Sequence, residues 1–185
     1  MRMILFLILF FIQPVDGRLF AQELLIDFGR NTGGQTWSVT NDGVMGGLSQ
    51  GQAYLSDSSV VFQGEVSLEN NGGFSSLRSP YQRFNLSDFE EVEIKTRSSG
   101  LSFSITFSKS QRFWIPNYKH FLGTNNDEWV VSNFKLSELE EYRMGNSTNK
   151  SISSRDIGNL IGISFFNEGK KEGPFVLEVD YILFK

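Results

Sequence analysis

The 185-residue sequence contains no cysteine and only one histidine. A chain without cysteine has no disulfide framework, no thiolate metal site and no cysteine nucleophile. Its net charge of −4, with no run of lysine or arginine, argues against nucleic acid as a partner, since such partners favour a basic surface. Stability must therefore come from a packed core, for which 18 phenylalanines supply large apolar side chains.

The sequence also lacks an apolar run long enough to span a bilayer, which needs roughly 20 residues. The apolar segment from Met3 to Ile12 has the length of the hydrophobic part of a secretory signal. We expect a signal peptide over residues 1–21, cleaved after Gly17 or Ala21, and no transmembrane span afterwards. The sequence thus predicts an exported protein, periplasmic or extracellular, with an uncleaved N-terminal anchor as the alternative.

Residues 22–185, which we expect to form a single domain, are dominated by alternating apolar and polar residues. Leu101 to Ser108 alternates without error, which predicts a strand with one buried face and one solvent face. The segments 90–97 and 174–184 show the same period of two. Because further short strands recur between Gly, Asn and Ser breaks, the pattern predicts an all-β sandwich.

Three local features complete the secondary-structure prediction. The C-terminal segment places Tyr181 on the same face as Leu177 and Val179. Residues 141–154 are polar and predict a long exposed loop. Helical periodicity is confined to one-turn pieces, so an α+β domain, the alternative, lacks any segment with apolar spacing of three and four over more than two turns.

The stretch N-D-G-V-M-G-G-L-S-Q, from Asn41 to Gln50, is rich in glycine. It has neither the spacing of a dinucleotide fingerprint nor that of a P-loop, and it contains too few acidic residues for an EF-hand. We interpret it as a sharp turn in which glycines adopt positive φ and Met45 packs inward.

A second glycine-containing stretch, E-N-N-G-G-F-S-S-L-R, runs from Glu69 to Arg78. Asn71-Gly72 between alternating segments predicts a β-hairpin with a type I′ turn, because that turn needs positive φ at both central residues. Phe74 then falls in the returning strand.

The two stretches together, W-S-V-T-N-D-G-V-M-G-G-L-S-Q-G and F-Q-G-E-V-S-L-E-N-N-G-G-F-S-S-L-R, resemble the paired hallmark of the complex I intermediate-associated protein 30 family. The resemblance covers residues 25–185. It implies a galactose-binding-like jelly roll of two antiparallel sheets with no known catalytic activity. It also implies, from the mitochondrial members, a role as assembly factor or chaperone for respiratory complex I.

The signature residues are expected to be structural. They are Trp37, Asn41, Asp42, Gly43, Met45, Gly46, Gly47, Ser49, Asn70, Asn71, Gly72, Gly73, Phe74 and Arg78. We expect the corner at residues 42–47 to lie beside the predicted hairpin at residues 70–73, with Asp42 or Arg78 bracing the two.

The segment from Gln111 to Phe121 is the candidate binding region. It gathers Arg112, Trp114, Tyr118 and His120. Aromatic faces stack on sugar rings or partner side chains, while Arg and His donate directed hydrogen bonds. The alternative is a strand pair whose aromatic residues belong to the core. The serine-rich face of residues 101–108 is either part of the same surface or a plain solvent face.

No catalytic constellation is recognisable, so we predict a protein that is not an enzyme. His120 has no identifiable nucleophile beside it, and the paired carboxylates are typical of solvated faces. Asp27, Asp42 and Asp180 could contribute to a calcium site, but nothing fixes their distances, and no metal or cofactor is predicted.

The sequence therefore predicts a non-catalytic binding module with an unknown protein client, since an export signal separates this chain from the mitochondrial role. The alternative is a carbohydrate-binding module. A protein partner is expected, and a glycan is the second candidate ligand.

Overall fold

A computed structural model of the chain describes residues 22–29 and 37–185. The predicted signal peptide and its two cleavage points lie outside these residues. The described residues form two antiparallel sheets packed face to face, which confirms the predicted β-sandwich. Within the described part of the chain, no helix has the length and apolar composition needed to cross a membrane.

Six strands form the first sheet, called here the six-stranded sheet. They are β1 (Leu24–Asp27), β3 (Gln50–Leu55), β4 (Val60–Val66), β6 (Glu91–Ser99), β9 (Val130–Lys135) and β13 (Gly173–Phe184). The order is β3-β4-β13-β6-β9, with β1 also pairing with β13. The long strand β13 therefore organises this sheet, because three strands pair with it.

Seven strands form the second sheet, called the seven-stranded sheet. They are β2 (Ser38–Asn41), β5 (Ser75–Arg78), β7 (Ser102–Ser108), β8 (Asn117–Gly123), β10 (Glu140–Arg143), β11 (Asn146–Ser151) and β12 (Gly162–Glu168). The order is β11-β10-β8-β7-β12-β5-β2. One α-helical turn, α1 (Ser154–Ile157), occurs among the described residues, and it is capped by Ser153, whose hydroxyl accepts a hydrogen bond from the Asp156 amide.

The core lies between the two sheets and is built from the inward-facing residue of each alternating pair. In β7, Phe103, Ile105 and Phe107 are fully buried, as the alternation predicts. Val92 and Ile94 of β6 are fully buried in the same core. Each such side chain contributes roughly 1.5–3 kcal/mol on burial, so the apolar face of each strand stabilises the sandwich.

The predicted loop at residues 141–154 is wrong. Most of it is the hairpin of β10 and β11 at one edge of the seven-stranded sheet. Met144 and Gly145 turn the hairpin with φ of 50° and 81°. Strand β11 contains no apolar residue, so the alternation that identifies a strand is missing even though the backbone pairs.

The predicted position of Tyr181 on the inner face is also wrong. The register of β13 against β6 shifts between Val179 and Tyr181, which is the mark of a β-bulge. The extra residue turns Tyr181 to the outer face, where its hydroxyl donates to Glu93 at 2.7 Å.

The predicted hairpin around Asn71-Gly72 is not formed. Strand β4 belongs to the six-stranded sheet and β5 to the seven-stranded sheet, so the segment between them is a corner that changes sheets. Positive φ occurs at Asn70 (55°) and Asn71 (58°), whereas Gly72 has φ of −68° and β5 begins only after Phe74. Tertiary pairing of β5 with β2 and β12 overrides the local turn signal.

The Asp42 side chain holds the two corners together, as expected. Its carboxylate is 1% exposed and accepts hydrogen bonds from the Ser49 amide (2.9 Å) and hydroxyl (2.5 Å). It also accepts from the amides of Gly73 (2.6 Å) and Phe74 (3.1 Å), which belong to the second corner. Arg78 takes no part, because its Nε donates to Ser76 instead.

A second brace lies beside the first. The amide of the Asn41 side chain accepts from the Gly51 amide (3.1 Å) and donates to the Gly51 carbonyl (3.3 Å). The same side chain accepts from the Ser75 hydroxyl at 2.6 Å. Since Asn41 and Ser75 belong to one sheet and Gly51 to the other, these bonds connect the sheets at this end of the sandwich.

Two signature glycines are required by space around the Asp42 carboxylate. A Cβ atom on Gly47 would lie 2.4 Å from Oδ1, and one on Gly72 would lie 2.6 Å from Oδ2. Gly46 serves a different purpose, because its φ of 89° is open mainly to glycine. Gly43 has open space around it. These glycines therefore meet two different requirements, room for the carboxylate at Gly47 and Gly72 and a positive φ at Gly46, and Gly43 is under neither.

We expect Gly47→Ala and Gly72→Ala to lower the free energy of unfolding by about 1–3 kcal/mol, because each added methyl group overlaps the braced carboxylate. Gly43→Ala is the matched control and should change it by less than about 0.5 kcal/mol. Urea denaturation of the three variants measures the difference. Equal midpoints for all three would contradict this role of the glycines.

The Asp42 brace should also depend on pH. Burial alone would raise the pKa of Asp42, but the hydrogen bonds from Ser49, Gly73 and Phe74 outweigh it and hold the pKa below its usual value. A carboxyl whose pKa is lower in the folded protein stabilises it above the unfolded pKa, about 3.9, and loses that contribution as the pH falls.

Asp42→Asn should therefore cost about 1–3 kcal/mol at pH 7, and the difference from the original protein should shrink as the pH falls below about 4. Denaturation at a series of pH values tests this, with the exposed substitution Asp88→Asn as control. A difference that stays constant down to pH 3 would show that the ionised carboxylate is not the stabilising species.

Candidate binding surfaces

The first candidate surface is the signature loop, defined as residues 42–49. Val44 and Met45 are 77% and 78% exposed, and Leu48 is 50% exposed. The predicted inward packing of Met45 is therefore wrong. The short 3-10 turn at residues 42–45 is fixed by the buried Asp42, so the side chains that follow Asp42 project from the corner into solvent.

These three side chains form what we call the apolar tip. They stand on a backbone that the Asp42 hydrogen bonds hold in one conformation, and the neighbouring loop adds Leu68, which is 40% exposed. Ser49 ties that loop to the tip, because its hydroxyl accepts from the Ser67 amide at 3.1 Å. Exposed aliphatic side chains on a fixed loop are suited to contact with an apolar surface.

The second candidate surface is the outer face of the seven-stranded sheet. The strand register places Phe121 and Tyr142 on one side of this face, at β8 and β10. It places Phe166 and Arg78 on the other side, at β12 and β5. Strand β7, which lies between the two sides, contributes only small polar side chains.

A chain of contacts runs across this face. The Arg78 guanidinium lies 5.2 Å from the centre of the Phe166 ring, and the Lys119 ammonium lies 5.8 Å from the same ring and 5.1 Å from the Tyr142 ring. Phe121 meets Tyr142 edge to face at 5.9 Å. Such cation–π contacts fix side chains in place with modest energies, about 0.5–1 kcal/mol at exposed sites.

The expectation that the serine-rich face of β7 is open to solvent is wrong at its centre. Ser104 and Thr106 are fully buried although they lie on the outer face. An ion pair covers them, in which the Lys119 ammonium lies 2.6 Å from Glu168, and Ser104 donates to the same carboxylate oxygen at 2.6 Å. The pattern of alternation identifies the face but not the long side chains of β8 and β12 that cover it.

Two of the four residues proposed for binding face the core. Tyr118 is fully buried, and its hydroxyl bonds to Asp156 (2.5 Å) and Lys109 (2.8 Å). Burial, followed by the hydrogen bond to Asp156, raises the pKa of Tyr118 to about 12. His120 stacks on Phe134 of the opposite sheet at 3.9 Å between ring centres. The alternative of a partly buried strand is therefore the correct one for this pair.

The other two residues remain together at the surface. Arg112 and Trp114 lie in the loop between β7 and β8, with the guanidinium 5.8 Å from the centre of the indole ring. Trp114 is 49% exposed, and Phe113 contacts it edge to face. The four predicted residues thus do not form one groove wall, because every second residue of β8 points inward.

The three acidic residues considered for a calcium site are each bonded to other groups of the protein. In residues 22–29 and 37–185, no group of three or more acidic or histidine side chains could hold a metal ion. Of the three acidic residues considered for calcium, Asp42 is bonded to four donors and Asp180 pairs with Lys95 at 2.6 Å, while Asp27 accepts from the Gly29 amide. Burial lowers the pKa of His120, although the negative charges of Glu138 and Glu140 act to raise it.

Solved structures with a similar fold are carbohydrate-binding modules and a carbohydrate-active enzyme. Two structures of the family 11 carbohydrate-binding module of Clostridium thermocellum share 12% identity over 88% of this chain and 94% of theirs. Their TM-scores are 0.64 and 0.61, and the second holds a β-1,3-1,4-mixed-linked tetrasaccharide. An agarase matches 88% of this chain and 24% of its own with a TM-score of 0.57 and 12% identity. At this identity the likeness establishes the jelly-roll fold.

Sequence comparison agrees with the signature. No curated protein sequence matches the chain significantly. The model of the family described as Complex I intermediate-associated protein 30 matches residues 26–179, which include both braced corners, the eleven strands from β2 to β12 in full, and parts of β1 and β13. The chain therefore belongs to the Complex I intermediate-associated protein 30 family.

Proposed function

We propose that this protein is a non-catalytic binding module that holds a protein client outside the cytoplasm, in the manner of an assembly factor. Family membership supports the binding role. The apolar segment Met3 to Ile12 supports export, which separates the client from that of the mitochondrial members. Its client is therefore a different protein of the envelope or the extracellular space.

The observation that carries this proposal is the apolar tip. Val44, Met45 and Leu48 are exposed, although the loop that bears them is closed by hydrogen bonds from Ser49 to the Asp42 carboxylate and is tied to Gly73 of the second corner. Aliphatic side chains on a fixed backbone lose little conformational freedom on binding, so more of the energy of burial remains as affinity. Met in particular adapts its shape to a partner's surface.

The triple substitution Val44→Ser, Met45→Ser and Leu48→Ser should weaken client binding at least about tenfold, because apolar area leaves the interface. Folding should be unaffected, since these side chains are exposed. The measurement is affinity capture from envelope extracts of the source organism, followed by titration of the captured protein.

A separate experiment tests export. N-terminal sequencing of the native protein checks cleavage after Gly17 or Ala21.

The matched control is the double substitution Phe121→Ala and Tyr142→Ala on the sheet face, which should retain the client. If no protein is captured reproducibly, or if the triple substitution leaves capture unchanged, the proposal is wrong.

Carbohydrate binding is a second candidate function, and the outer face of the seven-stranded sheet favours it. That face combines one exposed aromatic ring, Phe121, and two half-buried rings, Tyr142 and Phe166, with charged hydrogen-bonding groups, a combination suited to sugar rings. Modules of similar fold are named as carbohydrate-binding, and one is described in complex with a tetrasaccharide.

A glycan array probed with the intact protein tests the second function. We expect signals from neutral oligosaccharides that persist in the Val44, Met45 and Leu48 triple variant, because the tip belongs to a different surface. An array without signals would exclude carbohydrate binding as a function of this protein, and it would leave the proposal of a protein client unaffected.

A further inference from the structure

We infer that the outer face of the seven-stranded sheet binds a neutral, extended oligosaccharide that lies across the strands, from Phe121 and Tyr142 to Phe166 and Arg78. This inference rests on the second candidate function and specifies its site and its ligand class. It moves the glycan site away from Trp114, where the sequence placed it, to residues that the strand register brings together.

The composition of the face is the first argument. Between β10 and β2, the outer positions of the described strands carry no aliphatic side chain larger than the methyl of threonine. They are Ser38, Thr40, Ser76, Arg78, Ser102, Ser104, Thr106, Ser108, Asn117, Lys119, Phe121, Glu140, Tyr142, Gly162, Ser164, Phe166 and Glu168. A protein interface core is normally poor in Lys, Glu and Ser, so this face is a poor match for a protein partner.

The arrangement of the rings is the second argument. Phe121 and Tyr142 lie on one side of the small residues of β7, and Phe166 lies on the other. The distance from β10, which carries Tyr142, to β5, which carries Arg78, is four strand spacings, or roughly 19 Å. The Tyr142 and Phe166 rings themselves are closer, because the Lys119 ammonium lies 5.1 Å from the first ring centre and 5.8 Å from the second. A ligand that contacts both sides must therefore be extended, and it must present flat apolar patches to the rings and hydroxyl groups between them.

The charge balance defines the ligand further. Two cations, Arg78 and Lys119, stand on this face with two carboxylates, Glu140 and Glu168. The cations lie against aromatic rings, and Lys119 is also paired with Glu168. A face without net charge provides no attraction for a polyanion and offers both donors and acceptors to a neutral polyhydroxylated chain.

Preorganisation is the third argument. The side chains of Lys119 and Glu168 are only 13% and 19% exposed, and Ser104 donates to the same carboxylate. Tyr142 remains a hydroxyl donor at neutral pH, because burial and the nearby Glu140 raise its pKa. Groups that are already held in place need little ordering when a ligand binds.

The test is calorimetric titration of the intact protein with three probes. They are a neutral β-1,3-1,4-linked glucose tetrasaccharide, a neutral β-1,4-linked mannose tetrasaccharide and the anionic tetragalacturonate. We expect at least one neutral probe to bind more tightly than the anionic probe. Phe121→Ala and Tyr142→Ala should each weaken that binding about tenfold, because each removes a stacking surface.

The controls are Tyr54→Ala, on the outer face of the other sheet, and Trp114→Ala, on the loop. Both side chains are about half exposed, at 51% and 49%, and both variants should stay within about twofold of the original affinity. Melting temperatures of all variants confirm that they fold.

The following results would each contradict the inference. Binding that survives Phe121→Ala and Tyr142→Ala together would leave carbohydrate binding in place but move it to another surface. Loss of binding in Trp114→Ala alone would return the site to the loop. Preference for tetragalacturonate, or binding of neither neutral probe, would show that the ligand class is wrong.

Discussion

The Asp42 carboxylate is buried and is held by four hydrogen bonds from Ser49, Gly73 and Phe74. A buried carboxylate is costly unless its charge is satisfied, and neutral donors that converge on it provide that satisfaction. Because the donors come from two segments far apart in the chain, forming these bonds fixes both corners at once. The corners carry the chain between the sheets, so the packing of the sandwich at this end depends on this side chain together with the neighbouring Asn41 brace.

The same interaction explains why glycine is concentrated in the family signature. Gly47 and Gly72 leave room for the carboxylate oxygens, while Gly46 allows the backbone to turn out of the short helix. The loop therefore resembles a phosphate-binding loop in composition, but its donors are occupied by a side chain of the protein itself. With Asp42 directed inward, Val44 and Met45 are left on the outside.

The sandwich presents two surfaces with different chemistry. The apolar tip at the corner is aliphatic and small, whereas the outer face of the seven-stranded sheet is aromatic, polar and balanced in charge. The core between the sheets is filled by phenylalanine and branched side chains, so ligands must bind on outer surfaces. A fold of this kind supports many ligands, and the side chains on each surface decide which class each one accepts.

For several site residues, the sequence predicts the strand that contains them but not the face of the sheet on which their side chains lie. Alternation identified β7 and its buried face correctly, because burial of Phe103, Ile105 and Phe107 dominates that strand. It did not show that Tyr118 and His120 face inward while Lys119 and Phe121 face outward, because β8 carries large side chains on both faces. The partners of Lys119 on β12 are distant in sequence, and no local pattern reveals them.

The sequence by itself determined the all-β sandwich and the inner face of the regular strands. These features depend on a period of two and on local composition, which a linear pattern contains. Only the tertiary structure decided that residues 67–74 change sheets, that Tyr181 is turned outward by a bulge and that β11 is a strand. The sheet change and the bulge depend on hydrogen bonds between segments that are distant in the sequence. Strand β11 instead pairs with the adjacent strand β10, and it escapes a pattern of alternation because it contains no apolar residue.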